Sequence, residues 1–228
     1  MENRGRGIMK IVAIDGPAGS GKSSVSRAVA AELGFGFLDT GAAYRALTWW
    51  GLELRVDLSD EDSIAGLLDA FPYSISLDPS IHRVAVGEVD VTDSIREPRI
   101  SLAVSAVARN LRVRDWMKNS ARQLVSDASF PGVVAEGRDM TTVVFNDAPV
   151  RILLTAHEEV RIARRAGDVA SRDLAETTAS VRERDAKDSH VVDFRTAAPG
   201  VTVVDSSDIT FSDTVSTIVD IVRAGSNA

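Results

Sequence analysis

The stretch Gly16–Ser24, GPAGSGKSS, follows the apolar run Lys10–Asp15, KIVAID, and its reading decides the fold. Gly16, Gly21, Lys22 and Ser23 satisfy G-x-x-x-x-G-K-[ST], with a strand-like run before the loop and an amphipathic helix pattern starting at the lysine. In that setting the loop backbone N–H groups of Gly16, Pro17, Ala18, Gly19, Ser20, Gly21, Lys22, Ser23 and Ser24 (proline excepted) can converge on phosphate oxygens. The helix N-terminus adds partial positive charge. Lys22 is placed to reach the β- and γ-phosphates, and the Ser23 hydroxyl to ligate Mg²⁺. A chance match in a chain this long is expected roughly once in a hundred sequences. The loop therefore predicts a nucleotide triphosphate cradle, without choosing between a kinase, a GTPase and an ATPase.

The rest of the chain agrees with that start. It has 228 residues, 44% apolar and 26% charged, as in an ordinary water-soluble domain. A net charge of −7 argues against nonspecific nucleic-acid binding, while leaving room for a small anion held by local arginines. The lack of cysteine excludes disulfides, thiolate zinc sites and a cysteine nucleophile, and fits a reducing cytoplasm. The charged N-terminus, MENRGRGIM, has no apolar h-region and reads as a loose tail, with Met9 a second candidate start. No apolar run approaches the ~18 residues needed to cross a bilayer.

Five β-like runs, Lys10–Asp15, Phe35–Asp39, Gly132–Glu136, Arg151–Ala156 and Val201–Asp205, alternate with helical stretches. They are rich in valine and isoleucine with little alternation, which predicts an α/β fold with a parallel sheet buried on both faces. Val25, Val29 and Leu33 form a helical stripe ended by Gly34. Val113, Trp116, Met117, Ala121, Leu124 and Val125 form a second. Val215, Ile218, Val219 and Val222 form a third, with Ser212 or Asp213 as its cap. All three read as core packing. Residues 59–111 interrupt the alternation: a short capped helix over Ser59–Phe71, three antiparallel strands in SISLD, HRVAVG and EVDVT, then a helix over Glu97–Asn110.

Arginines follow the strand ends: Arg45, Arg138, the trio Arg161, Arg164 and Arg165, and further on Arg182 and Arg184. In an open parallel sheet those ends line the ligand crevice. Transfer between two phosphorylated molecules needs such cations, because donor and acceptor repel each other and guanidinium grips phosphate in a fork. Any single one of them also suits a solvated helix face. Arg138, between a buried strand and Asp139, favours a site role. The polar, doubly charged segment Arg164–Asp188 is placed to be a mobile arm that excludes water. His82, His157 and His190 are scattered, without metal-ligand spacing, and read as surface residues. Asp15 either orients a metal shell or hydrogen-bonds the loop.

GPAGSGKSS, LDTGAAYR, VDVTDSIR, VVAEGRDMTTVVF with the following DAP, and RERD with the following KDS occur in order. Together they resemble the bacterial cytidylate kinase family of nucleoside monophosphate kinases, over about Lys10 to Val222. The resemblance implies a P-loop NTPase fold with a five-stranded parallel core. It implies one kinase domain over residues 1–228, an inserted small α/β monophosphate-binding subdomain at 59–111 and a short lid at 164–192. It implies ATP- and Mg²⁺-dependent conversion of CMP and dCMP to CDP and dCDP. By position, Arg45 and Arg138 hold the acceptor phosphate, Ser105, Arg114 and Asp139 read the cytosine edge, and Tyr44 packs near the nucleotide. Arg184 and Asp188 reach sugar and phosphate from the lid, so that Lys22, Arg138, Arg184 and Asp188 form the catalytic set.

Three positions depart from the family pattern. Val191 stands where an arginine is common, with Arg195 a candidate substitute; Thr141 stands for a usual glycine, and Glu136 for a common aspartate. A kinase for UMP, AMP or a non-nucleotide hydroxyl such as shikimate is an alternative, as is a regulator that binds nucleotide without turnover. The expected setting is a cytoplasmic monomer with no nucleic-acid or membrane partner.

Overall fold

The valine- and isoleucine-rich runs form one parallel sheet of β1 (Lys10–Asp15), β2 (Gly36–Asp39), β6 (Gly132–Gly137), β7 (Val150–Thr155) and β8 (Thr202–Asp205), in the order β2-β6-β1-β7-β8. The computed structural model describes residues 10–168 and 196–225, together with Thr178 and Arg182. β1 keeps its expected bounds, β2 and β8 each start one residue later, β6 ends one residue later, and β7 lies one residue earlier. β1 is the middle strand, with β6 on one side and β7 on the other. That is where an open α/β sheet switches direction and opens a crevice past its strand ends.

The chain divides into two units, Met1–Phe37 with Asp127–Ala228, and Leu38–Ser126. In the first, α1 (Lys22–Leu33) and α7 (Phe211–Gly225) pack together over the sheet. Val12, Ile14, Val29, Ile152 and Ile218 lie within one buried cluster, to which Leu33 adds a partly buried edge. Completely burying Val29 stabilises by about 1.5–3 kcal/mol. Gly34 closes α1 with φ 66°, a left-handed turn that a side chain would strain, and its N–H caps carbonyls of the last turn. The expected cap of α7 moves back: the Thr210 hydroxyl accepts from Asp213 N–H at 3.1 Å, so threonine caps a helix that starts at Phe211.

The second unit holds α2 (Thr40–Glu53), α3 (Glu61–Ala65), α4 (Pro98–Arg109) and α5 (Leu111–Ser126), with an antiparallel sheet β3-β4-β5 of Tyr73–Ile75, Val84–Val86 and Val89–Asp90. The three antiparallel strands expected here are present but shorter, and the first starts at Tyr73. The helix expected over Ser59–Phe71 is broken. Asp60 accepts from Ser63 N–H to cap α3, Gly66 ends it, and the chain tightens into a 3₁₀ turn at Leu68–Ala70. Phe71 explains the break: its ring stacks on Trp50 at 5.4 Å and on Tyr73 at 5.6 Å, so the backbone must turn to place it in the core. The Leu38–Ser126 unit contains the segment 59–111 together with α2 and α5.

Surface turns of this unit share one device. The carboxylates of Asp57, Asp60, Asp78 and Asp90 accept from the hydroxyl and the N–H of Ser59, Ser63, Ser80 and Thr92. Those bonds, hydroxyl first, hold all four carboxyls below the ordinary aspartate range. Groups with lowered folded pKa contribute stability above the unfolded value and lose it as pH falls through the folded one. The urea midpoint should therefore fall between about pH 5 and pH 3. Replacing Ser59, Ser63, Ser80 and Thr92 together by alanine should flatten that acid limb, as followed by fluorescence of the tryptophans. An unchanged limb would show that other carboxyls control it.

Candidate functional site

The strand registers bring the site residues of the first unit together. Asp15 at the end of β1 pairs in register with Gly137 of β6 and with Leu153 of β7. The next residues, Gly16 and Arg138, are therefore side by side, and the Arg138 guanidinium donates to the Gly16 carbonyl at 2.5 Å. A Cβ at Gly16 would lie 2.1 Å from the Leu154 carbonyl oxygen, so only glycine lets the loop pass this close to β7. Gly21 supplies no capping side chain to α1, which leaves the first N–H groups of that helix for an anion. Lys22 is 9% exposed and its amine donates to the Pro17 carbonyl at 3.1 Å, inside the loop it serves. Ser20 is buried, whereas Ser23 and Ser24 face solvent.

The Ser23 hydroxyl donates to the Glu136 carboxylate at 2.5 Å. A hydroxyl and a carboxylate at the helix start are hard oxygen donors, of the kind Mg²⁺ selects. Glutamate at 136 reaches Ser23 directly. Among the described residues no group of three histidine, cysteine or acidic side chains could by itself hold a metal ion. His82 and His157 are exposed, and the His82 ring lies 2.7 Å from the Arg96 guanidinium. His190 lies outside the described residues.

Asp15 hydrogen-bonds backbone of the segment after Arg138. Its carboxylate, 2% exposed, accepts from Met140 N–H, Thr141 N–H and the Thr141 hydroxyl at 2.8, 2.8 and 2.6 Å. Burial pushes its pKa up; the Thr141 hydroxyl, the two N–H groups and the Lys22 charge pull it back. Asp139 is buried, and its carbonyl opens a π-turn, Met140–Val144, by accepting from Val144 N–H.

Arg161 and Arg164 are the residues that sequence reading underrated. Arg161 is 8% exposed and donates to the Ala18 carbonyl at 2.8 Å. Arg164 donates to the Ser20 carbonyl at 3.4 Å and to Ser206, through its hydroxyl at 2.9 Å and its carbonyl at 2.7 Å. Both lie on α6 (Glu158–Asp168) and bind the loop's outward carbonyls, which leaves its N–H groups to face a ligand. Their position in the first two turns of the helix that follows a strand end was the signal; the loop carbonyl as a partner was not. Arg182, by contrast, forms an exposed pair with Glu158. Arg184, Asp188, Val191 and Arg195, with most of the segment 164–192, lie outside the described residues.

In the second unit, Tyr44 and Arg45 follow the N-cap of α2, where the Asp39 carboxylate accepts from Ala42 N–H. Arg45 is half-buried and donates at 3.0 Å to both the Ile95 carbonyl and the Ser101 hydroxyl, so its guanidinium is anchored. Ser105 on α4 and Arg114 on α5 are half-buried. The Asn110 side chain caps α5, accepting from the N–H groups of Arg112 and Val113.

A phosphate loop between central strand and helix, backed by arginines and a helix-start hydroxyl–carboxylate pair, defines a P-loop phosphotransferase. The fold agrees with solved structures: one from Thermus thermophilus has TM-score 0.50 at 19% identity over 95% of this chain and 97% of that one. Another, an uncharacterized protein from Eubacterium ventriosum, has TM-score 0.53 at 11% identity over 94% and 99%. The cytidylate kinase family model matches residues 12–224. A cytidylate kinase of Streptomyces avermitilis is 41% identical over 93% of this chain and 92% of its own length, and one of Mycobacterium avium 42% identical over 93% and 95%. The chain belongs to the cytidylate kinase family.

Proposed function

We infer that the chain transfers the γ-phosphoryl group of ATP to CMP or dCMP, releasing ADP and CDP or dCDP. Family membership over residues 12–224 supports the reaction class. The observation that carries the geometry is the Arg138 guanidinium seated against the Gly16 carbonyl, a phosphate-type cation at the mouth of the donor loop. Gly16 to Ser24 cradle the donor phosphates, with Lys22 on the β- and γ-oxygens. Ser23 and Glu136 would hold Mg²⁺, which would supply charge neutralisation for the transferring phosphoryl group. Arg45 and Arg138 grip the acceptor phosphate; Ser105, Arg114 and Asp139 read cytosine, and Tyr44 packs near it. The family resemblance assigns Arg184 and Asp188 to the sugar and phosphate. The acceptor is already an anion, so the protein supplies positioning and charge neutralisation rather than a general base. The chain acts as a monomer in the cytoplasm, without nucleic acid; no helix among the described residues is long and apolar enough to cross a membrane.

The test is ADP release with ATP, Mg²⁺ and, in turn, CMP, dCMP, UMP, AMP and shikimate. CMP and dCMP should turn over, with UMP well behind. Equal rates for UMP would remove the assigned cytosine readers. ATP binding without turnover of any acceptor would leave a nucleotide-binding regulator.

A further inference from the structure

We propose that Thr141 is a positioning residue for phosphoryl transfer, its hydroxyl locking the Asp15 carboxylate and so joining the strand that feeds the phosphate loop to the turn after Arg138 and Asp139. The proposal rests on the kinase reading above. Asp15 ends β1 and Gly16 begins the loop, while Arg138 and Asp139 directly precede the π-turn. Two ties cross between these segments. The Arg138 guanidinium holds the Gly16 carbonyl, and Met140 N–H, Thr141 N–H and the Thr141 hydroxyl hold Asp15.

Of the three donors on Asp15, only the hydroxyl belongs to a side chain, and its 2.6 Å bond is the shortest. The carboxylate accepts only, so the threonine must donate. The other end of Thr141 is also held: its carbonyl accepts from Arg151 at 3.3 Å, and Arg151 reaches on to the Pro199 carbonyl at 3.2 Å. The neighbouring Thr142 provides a contrast. Its hydroxyl is buried with no partner among the described residues, so the two adjacent threonines are not equivalent. Thr141 is 4% exposed, and glycine there would leave Asp15 with its two backbone donors alone.

The consequence is geometric. Asp15 and Gly16 are chain neighbours, so loosening the Asp15 carboxylate loosens the loop entry at Gly16 and, with it, the guanidinium bound there. Donor and acceptor phosphates then lose alignment while each is still bound. That is a loss in kcat rather than in KM.

The experiment compares wild type, Thr141→Val, which keeps the shape and removes the hydroxyl, and Thr141→Ser, which keeps the hydroxyl. With CMP and ATP, Thr141→Val should lower kcat about tenfold and leave both KM values within about twofold, while Thr141→Ser stays near wild type. Hydrogen exchange at the Met140 and Thr141 amides should accelerate in Thr141→Val alone. Wild-type kcat in Thr141→Val, unchanged exchange, or equal impairment of the serine variant would each overturn the proposal. Absence of CMP turnover in the wild type would overturn the kinase reading and the positioning role with it; the exchange measurement then decides the Asp15 clamp independently.

Discussion

Lys22→Ala should lower kcat by roughly 10²- to 10³-fold, the cost of removing one preorganised charge donor from a transition state. The ammonium is not drawn from solvent when ATP arrives. It is buried and held on the Pro17 carbonyl at 3.1 Å, inside the loop. Preorganisation of this kind is why the effect should fall on kcat more than on KM for CMP, which Lys22 does not touch in the assigned mechanism. Removing it also strips a positive charge from the surroundings of Asp15, whose pKa should rise further. With the folded pKa moved further up, the variant should lose stability as pH rises through that folded value. Single-turnover measurement of ADP release separates the chemical loss from any loss of ATP affinity. More than a tenth of wild-type kcat would remove Lys22 from the catalytic set.

Arg138→Ala should cost about 1.5–3 kcal/mol of transition-state binding, roughly a tenfold to hundredfold fall in kcat/KM for CMP, if one charge-assisted hydrogen bond to phosphate is lost. A larger fall is expected where the fork makes two bonds. The guanidinium's hold on Gly16 adds a second source of damage, because the loop entry loses a tie to the segment after β6. Arg138→Lys separates the two. Lysine restores a charge but not the planar fork, so it should recover only part of kcat/KM. Measuring the ADP dissociation constant by titration checks the loop. Unchanged ADP binding with a raised KM for CMP assigns Arg138 to the acceptor, whereas weakened ADP binding with unchanged KM for CMP assigns it to the loop.

Much of this was legible along the chain, because it depends on local chemistry. The loop motif, its flanking strand and helix, the Gly34 end of α1 and the parallel class of sheet all follow from residue type and spacing. What was missed is long-range. The Ser59–Phe71 helix breaks because Phe71 must reach Trp50 and Tyr73, a demand invisible to helical periodicity. Arg161 reads as a solvated helix residue until β1 and β7 pair and place the Ala18 carbonyl beneath it. Arg138 was singled out from its neighbours, but its partner 122 positions away was not.

The sequence by itself determined that a triphosphate loop starts this chain, and it pointed to the family, since a motif of small residues around one lysine needs only neighbours to state its chemistry. Tertiary structure alone decided how the pieces bear on each other. The β1–β6 register sets Gly16 beside Arg138 and Asp15 beside the π-turn. It thereby turns a threonine that reads as a mere departure from glycine into a donor on a buried carboxylate. The physical reason is that a hydrogen bond or a buried charge takes its energy from a partner, and pairing across a sheet is not written in spacing along the chain.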